Sequence, residues 1–118
     1  MINLLEETIS ALLHHGKKPD DVLWVGDTDK KTTWKQFASI ANFHYDNGYG
    51  GNEIAGSLIV VGKDFWLERG EYDGSEWWEY KELPVCKSEV FTDMLSCKED
   101  WVHGMTWKVS GNVDESNL

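Results

Sequence analysis

Apolar residues recur along this chain with two different periods, and the change between them marks its elements. From Asn3 to His15 they follow helical spacing, with Leu5, Ile9, Leu12 and Leu13 forming the expected buried stripe and Leu4 at its margin. Asn3 stands at the N-cap position and Glu6 three residues later, a variant of the capping box. Glu6 and Glu7 lie at the positive end of the helix dipole, and His14, His15, Lys17 and Lys18 at or past the negative end. Gly16 is placed as the residue that ends the helix. A second helix opens at Thr33, which with Gln36 makes the T-x-x-Q form of the box. Trp34, Phe37, Ala38, Ala41 and Tyr45 follow at helical spacing, and this helix is expected to end at or before Asn47-Gly48.

Between the helices, Pro19-Asp20-Asp21 reads as a turn, residues 22–25 (VLWV) as a short buried strand ended by Gly26, and residues 27–31 as a polar loop. After the second helix comes a glycine-rich connection, Asp46 to Gly56, in which Asn52 is placed to cap one helical turn from Glu53 to Ala55. Residues 58–61 (LIVV) predict a strand buried on both faces.

The period then becomes two. Asp64 to Leu83 predicts a β-hairpin closed by Asp73-Gly74, and it holds Trp66, Trp77 and Trp78, Tyr72 and Tyr80, and the arginine Arg69. A two-residue turn sets Tyr72 opposite Ser75, Arg69 opposite Trp78, Glu68 opposite Glu79 and Leu67 opposite Tyr80, whereas a three-residue loop would shift this register by one residue. Phe65, Leu67, Arg69, Trp78 and Tyr80 then share one face, which reads as core. Arg69 there needs a partner, by stacking on Trp78 or pairing with Glu71 or Glu76. Trp66, Glu68, Tyr72, Trp77 and Glu79 share the other face. Aromatic residues among carboxylates there describe either an open partner-binding surface or a face covered by loops or by the C-terminal segment.

After Pro84 the pattern weakens. Ser88 is placed to cap a helix carrying Val90, Phe91, Met94, Leu95 and Trp101, while Trp101 to Val109 fits a short hairpin through Gly104. Residues 111–118 are polar and expected to be disordered. The fold expected is α+β: a single domain over 1–110, an antiparallel meander of three to four strands with two to three helices on one face, in the order α-β-α-β-β-β.

Charge narrows the function classes. Lys and Arg number 11 against 21 Asp and Glu, a formal net charge of -10. Such a field repels phosphate backbones and attracts basic proteins, so direct nucleic-acid binding is not expected and a basic nucleic-acid-binding protein is a suitable partner. The N-terminal stretch lacks a basic region followed by a continuous apolar run, and no run reaches membrane-spanning length, so a cytoplasmic protein without membrane contact is expected.

Candidate chemistry is sparse. His14-His15 has no ligand at metal spacing, and Cys86 and Cys97 match no metal or redox spacing. The Asp27-x-Asp29 pair lacks the later ligands of a calcium loop. The glycine-rich stretch fails the phosphate-binding order at Glu53. Glu68 and Glu79 across the ladder would crowd two carboxylates, the one arrangement here that suggests acid–base chemistry on a glycan. With no cleft evident, no catalytic residue, metal or cofactor is assigned.

VLWVG at residues 22–26, YDNGYGGNEIAG at 45–56 and FWLERGEYDGSEWWEYKELP at 65–84 together resemble small acidic proteins encoded by prophages and mobile elements of Gram-positive bacteria. The resemblance covers residues 1–84 and is most specific in EYDGSEWW. It implies an origin and carries no reaction. With the charge and the aromatic face, it leads to the expectation of a protein-binding module that modulates a host nucleic-acid-handling or defence protein, in the manner of an anti-CRISPR. The alternatives are a small-ligand or glycan-binding module and a structural subunit of a phage assembly.

Overall fold

A computed structural model describes residues 1–48, 51–100 and 104–107. The chain is α+β and divides into two compact units, Met1–Leu83 and Pro84–Leu118. The sequence pattern predicts a single domain over residues 1–110. Its expectation for residues 111–118 lies outside the described residues.

The first unit is built on a five-stranded sheet with every neighbour antiparallel. Its strands are β2 (Val22–Gly26), β3 (Lys31–Thr32), β5 (Ile59–Gly62), β6 (Phe65–Tyr72) and β7 (Ser75–Glu82), in the spatial order β3-β2-β5-β6-β7. Helix α1 (Leu4–His14) packs against β7 and helix α2 (Trp34–Ala41) against β2, and the two helices touch. A separate pair, β1 (Ile2–Asn3) with β4 (His44–Tyr45), ties the N-terminus to the segment after α2. The meander β5-β6-β7 and both long helices match the sequence pattern. The two-residue strands β1, β3 and β4 do not follow from it, because two residues carry no period.

The N-cap residues of the two long helices are as the sequence predicts. Asn3 Oδ1 accepts the Glu6 N–H at 3.0 Å, and Thr33 Oγ1 accepts the Gln36 N–H at 3.1 Å. Asn3 also donates from Nδ2 to Asn42 Oδ1 at 2.8 Å, so one buried amide joins the start of α1 to the end of α2. Helix α1 closes in a Schellman motif, with the Gly16 N–H donating to Leu13 O and the Lys17 N–H to Leu12 O.

Two helix assignments need correction. The buried stripe of α1 is Leu4, Thr8 and Leu12, and Leu13 is 60% exposed. Thr8 takes the inward place because its hydroxyl donates to Leu4 O at 2.7 Å and accepts from Trp78 Nε1 at 2.8 Å, so both of its polar demands are met. Tyr45, expected on the second helix, lies on β4, since α2 ends at Ala41.

Residues 53–55 are not helical, and Pro19–Asp21 is a single 3₁₀ turn. Nor is residues 22–25 a fully buried run. Leu23 falls in a register shift between Val22 and Trp24 and is exposed.

The core forms where one face of the sheet meets the helices. Val25, Val60 and Leu67 stand in register across β2, β5 and β6 and are at most 1% exposed. Phe37 and Ala41 of α2, Leu4 and Leu12 of α1, Phe65, Tyr45 and Ile54 complete the cluster. Burial of each of the larger side chains contributes about 1.5–3 kcal/mol.

Among its described residues the second unit contains one hairpin, β8 (Met94–Asp100) with β9 (Gly104–Trp107). The helix from Ser88 is therefore absent. Ser88 Oγ instead accepts the Val90 N–H at 3.2 Å, a local turn that competes with helix initiation. Residues 101–103 and 108–118 lie outside the described residues, and with them the Trp101 and Val109 ends of the alternative hairpin.

Because Asn3 serves two helices at once, Asn3→Ala is expected to lower stability by about 1–2 kcal/mol. Asn3→Ser, which keeps the cap and loses the bond to Asn42, should fall between. Urea denaturation midpoints of the three proteins check this order.

Candidate functional site

The β6–β7 hairpin has the predicted register throughout, from Tyr72 opposite Ser75 to Phe65 opposite Glu82. Asp73 and Gly74 have φ values of 51° and 86°, as a type I′ turn requires. This turn fixes which side chains go to each face, and the two faces carry different chemistry.

On the helix-covered face lies a buried polar cluster around Arg69, whose side chain is 2% exposed. Its guanidinium lies over Trp78, 4.6 Å from the ring centre. Nη2 donates to Glu76 Oε1 at 3.1 Å and to the Tyr45 hydroxyl at 3.2 Å, and Nη1 lies 3.5 Å from Glu7 Oε1. Glu76 is 1% exposed. Besides Arg69 it accepts the backbone N–H of Glu53 at 2.8 Å and of Ile54 at 3.1 Å, and its own N–H donates to Asn47 Oδ1. The carboxylate therefore closes the glycine-rich connection onto the hairpin. That gives Asn47, Glu53 and Ile54 of this connection a structural task.

Two of the three partners weighed for Arg69 are used, Trp78 by stacking and Glu76 by pairing, while Glu71 is exposed. Glu7 and Tyr45 escaped the sequence reading because they come from α1 and β4. Arg69 Nε is buried without a hydrogen-bond partner among the described residues.

The Tyr45 hydroxyl donates to Glu7 Oε1 at 2.7 Å, and burial pushes its pKa up to about 12. On the same face His15 stacks on Tyr80, with ring centres 3.9 Å apart. This gives the paired histidines a packing role. Among the described residues no group of His, Cys, Asp or Glu is arranged to hold a metal ion.

The opposite face carries Trp66, Glu68, Tyr72, Trp77 and Glu79, together with Trp24, Ile59, Val61 and Lys81. The first of its rows runs Trp24, Val61, Trp66, Lys81 across four strands, and the next runs Lys31, Gly26, Ile59, Glu68, Glu79 across all five. Tyr72 is 77% exposed and Trp77 36%. Trp24 and Trp66 are partly buried.

Trp77 stands opposite Gly70, and a Cβ at Gly70 would come 2.7 Å from its Nε1 and 2.6 Å from Glu79 Oε1. The bare backbone of Gly70 is thus what lets the indole lie across the strand. A hollow of about 490 Å³ adjoins this face, lined by Trp24, Ile59 and residues 27–31. There the Asp27 carboxyl is held below its usual range by the N–H groups of Lys30 and Asp29.

Glu68 and Glu79 do face each other, but Lys81 Nζ lies 3.7 Å from one and 3.8 Å from the other. The ammonium supplies the counter-charge that an isolated carboxylate pair would lack. The like-charge crowding that suggested acid–base chemistry is therefore relieved within the face.

The chain matches no protein-family model, no curated protein and no solved structure. No helix among the described residues is long and apolar enough to cross a membrane.

Removing one member of the buried pair leaves the other charge uncompensated, so Arg69→Met is expected to cost about 3–5 kcal/mol. Adding Glu76→Gln to it removes the stranded charge, keeps one acceptor for the 53–54 backbone, and should recover part of the loss. A double-mutant cycle by chemical denaturation checks this coupling.

Tyr45 gives the cluster an alkaline limit. Its folded pKa lies above the value near 10 of the unfolded chain, so its contribution is complete below about pH 10 and is lost as pH rises towards 12. The full loss amounts to about 3 kcal/mol. Tyr45→Phe should lower stability at neutral pH and flatten this alkaline limb in melts run from pH 7 upward.

Proposed function

We propose that this chain is a protein-binding module acting in the cytoplasm, with the sheet face opposite α1 and α2 as its docking surface and a basic host protein as its partner. The observation that carries this reading is the exposure of Tyr72 and Trp77 beside Glu68, Glu79 and the half-buried Trp66. Rigid aromatic side chains on a sheet supply contact area at little entropic cost, and a surrounding rim of carboxylates selects for positive charge. The net charge of -10 extends that selection over a longer range and speeds encounter with a basic surface.

Proteins that handle nucleic acids present such surfaces. With the resemblance to prophage and mobile-element proteins, the reading becomes modulation or inhibition of a host nucleic-acid-handling or defence protein, as an anti-CRISPR does. The arrangement needs no reaction at the surface, since occupying the partner's basic groove is enough to block it.

The expected outcome is capture of a host protein from native lysate by the purified chain, weakened by added salt. Tyr72→Ala with Trp77→Ala should abolish capture while leaving the melting temperature within a few degrees of the parent. Loss of the chain should also lower phage or plasmid establishment. If no host protein is retained and establishment is unchanged, the reading fails. A thermal shift with a glycan or nucleotide that disappears in Trp77→Ala would replace it with small-ligand binding on the same face.

A further inference from the structure

Strand β7 is the outer strand of the five-stranded sheet, and the hairpin turn determines which of its backbone groups are unpaired. A two-residue turn makes Tyr72 and Ser75 a hydrogen-bonded pair, and such pairs alternate along an antiparallel ladder. Gly70 with Trp77, Glu68 with Glu79 and Trp66 with Lys81 are therefore the remaining bonded pairs. The N–H and C=O groups of Glu76, Trp78, Tyr80 and Glu82 point away from β6. The Glu76 N–H does so visibly, since it donates to Asn47 Oδ1.

From Trp78 to Glu82 no strand among the described residues pairs with this edge. It is about 17 Å of regular strand, its pairing with β6 shows no register shift, and no proline interrupts it before Pro84. The opposite edge, β3, has only two residues and offers no comparable template.

We propose that β7 pairs with β7 of a second copy of this chain, antiparallel and with the two-fold axis at Tyr80. The register is selected by side chains on the sheet face. With Tyr80 opposite Tyr80 of the second copy, Trp78 faces Glu82 and Glu79 faces Lys81, so the axis generates two opposite-charge pairs. Trp77 faces Leu83, and both are exposed apolar residues in the single chain.

The neighbouring registers that keep the outward-pointing groups bonded are worse. One sets Glu79 against Glu79, and the other sets Lys81 against Lys81. Like charges directly opposite are destabilising, and opposite charges stabilise by a similar amount. The Tyr80 register also ends cleanly. Pro84 of the second copy, which has no N–H, would meet Glu76, whose N–H is already held by Asn47. The product is a continuous ten-stranded sheet in which the two aromatic faces form one surface.

The test uses the full chain in sedimentation velocity over a concentration series. A monomer–dimer equilibrium is expected. Lys81→Glu converts both attractive pairs to repulsive ones and should weaken the dimer about tenfold. The swap Glu79→Lys with Lys81→Glu restores opposite charges across the axis and should return the dimer to near the parent affinity. Glu82→Pro removes an N–H that faces away from β6 and should also weaken the dimer, with the far-UV circular dichroism of the parent retained.

A parent chain that stays monomeric throughout overturns the proposal. So does a dimer indifferent to Lys81→Glu and Glu82→Pro, or a charge swap that fails to restore what Lys81→Glu removed. None of these outcomes depends on capture of a host protein, so failure here and failure of the docking surface are separable.

Discussion

The pairing of Arg69 with Glu76 is the interaction on which the other features of the first unit depend. Both side chains are almost completely buried, and neither could remain there alone. Each is held by groups from elements distant in sequence: Glu7 of α1, Tyr45 of β4, and the backbone of residues 53–54. A purely apolar contact at this point would tolerate sliding of the hairpin under the helices. A charge pair with directional hydrogen bonds fixes one position. It also ties described parts of the glycine-rich connection to the hairpin, because the Glu76 carboxylate accepts the Glu53 and Ile54 N–H groups and the Asn47 side chain accepts the Glu76 N–H. The single arginine of the chain is thus committed to the interior and is not available to an anionic ligand.

From that fixed position, the alternation of side chains on β6 and β7 separates stability from surface chemistry. Residues 65, 67, 69, 76, 78 and 80 face the helices, and apart from Arg69 Nε, which has no hydrogen-bond partner among the described residues, their polar side-chain groups are bonded within the unit. Residues 66, 68, 72, 77 and 79 face away. There the polar demand of Glu68 and Glu79 is met by one shared lysine, and the aromatic area is only partly covered. The two-residue turn enforces this division, since a slip of one residue would send Trp66 and Trp77 inward and strand Leu67 in water. The folding constraint and the surface composition therefore have the same origin in Asp73-Gly74.

The hairpin could be read from the sequence because its signals are local and agree with one another: a turn dipeptide with a known geometry, and alternation on both sides of it. The helix caps were readable for the same reason. What could not be read is long-range. Thr8 displaced Leu13 from the buried stripe because Trp78, 70 residues away, offered an indole N–H. Tyr45 continued the helical spacing of α2 by coincidence, and its place on β4 depends on pairing with Ile2. Glu76 was visible as one of two carboxylates able to serve Arg69. Its burial follows once its parity is matched to Trp78 and Tyr80, a step that treats a core-face carboxylate as the required complement of a core-face guanidinium. Residues 84–100 misled because Ser88 can close a local turn as readily as it can cap a helix, and nothing in a weakly periodic stretch decides between them.

A single strand, β7, presents three distinct chemistries in three directions. Towards the helices it offers Glu76, Trp78 and Tyr80, which are needed for folding. Away from them it offers Trp77, Glu79 and Lys81, which the fold does not require in that form. Lys81 is informative here. Intramolecularly it needs only to balance Glu68 and Glu79, and a lysine opposite either would serve. Its position two residues from Glu79 on the edge strand also makes β7 self-complementary about Tyr80, a property that balance within one chain does not demand. In its third direction, laterally, β7 leaves backbone groups from Trp78 to Glu82 without a strand among the described residues, whereas its turn end is covered by Asn47 and Gly48. A chain whose net charge repels its own copies would gain little from an open edge unless the charges along that edge were arranged to overcome the repulsion locally. The spacing of Glu79 and Lys81 supplies that arrangement.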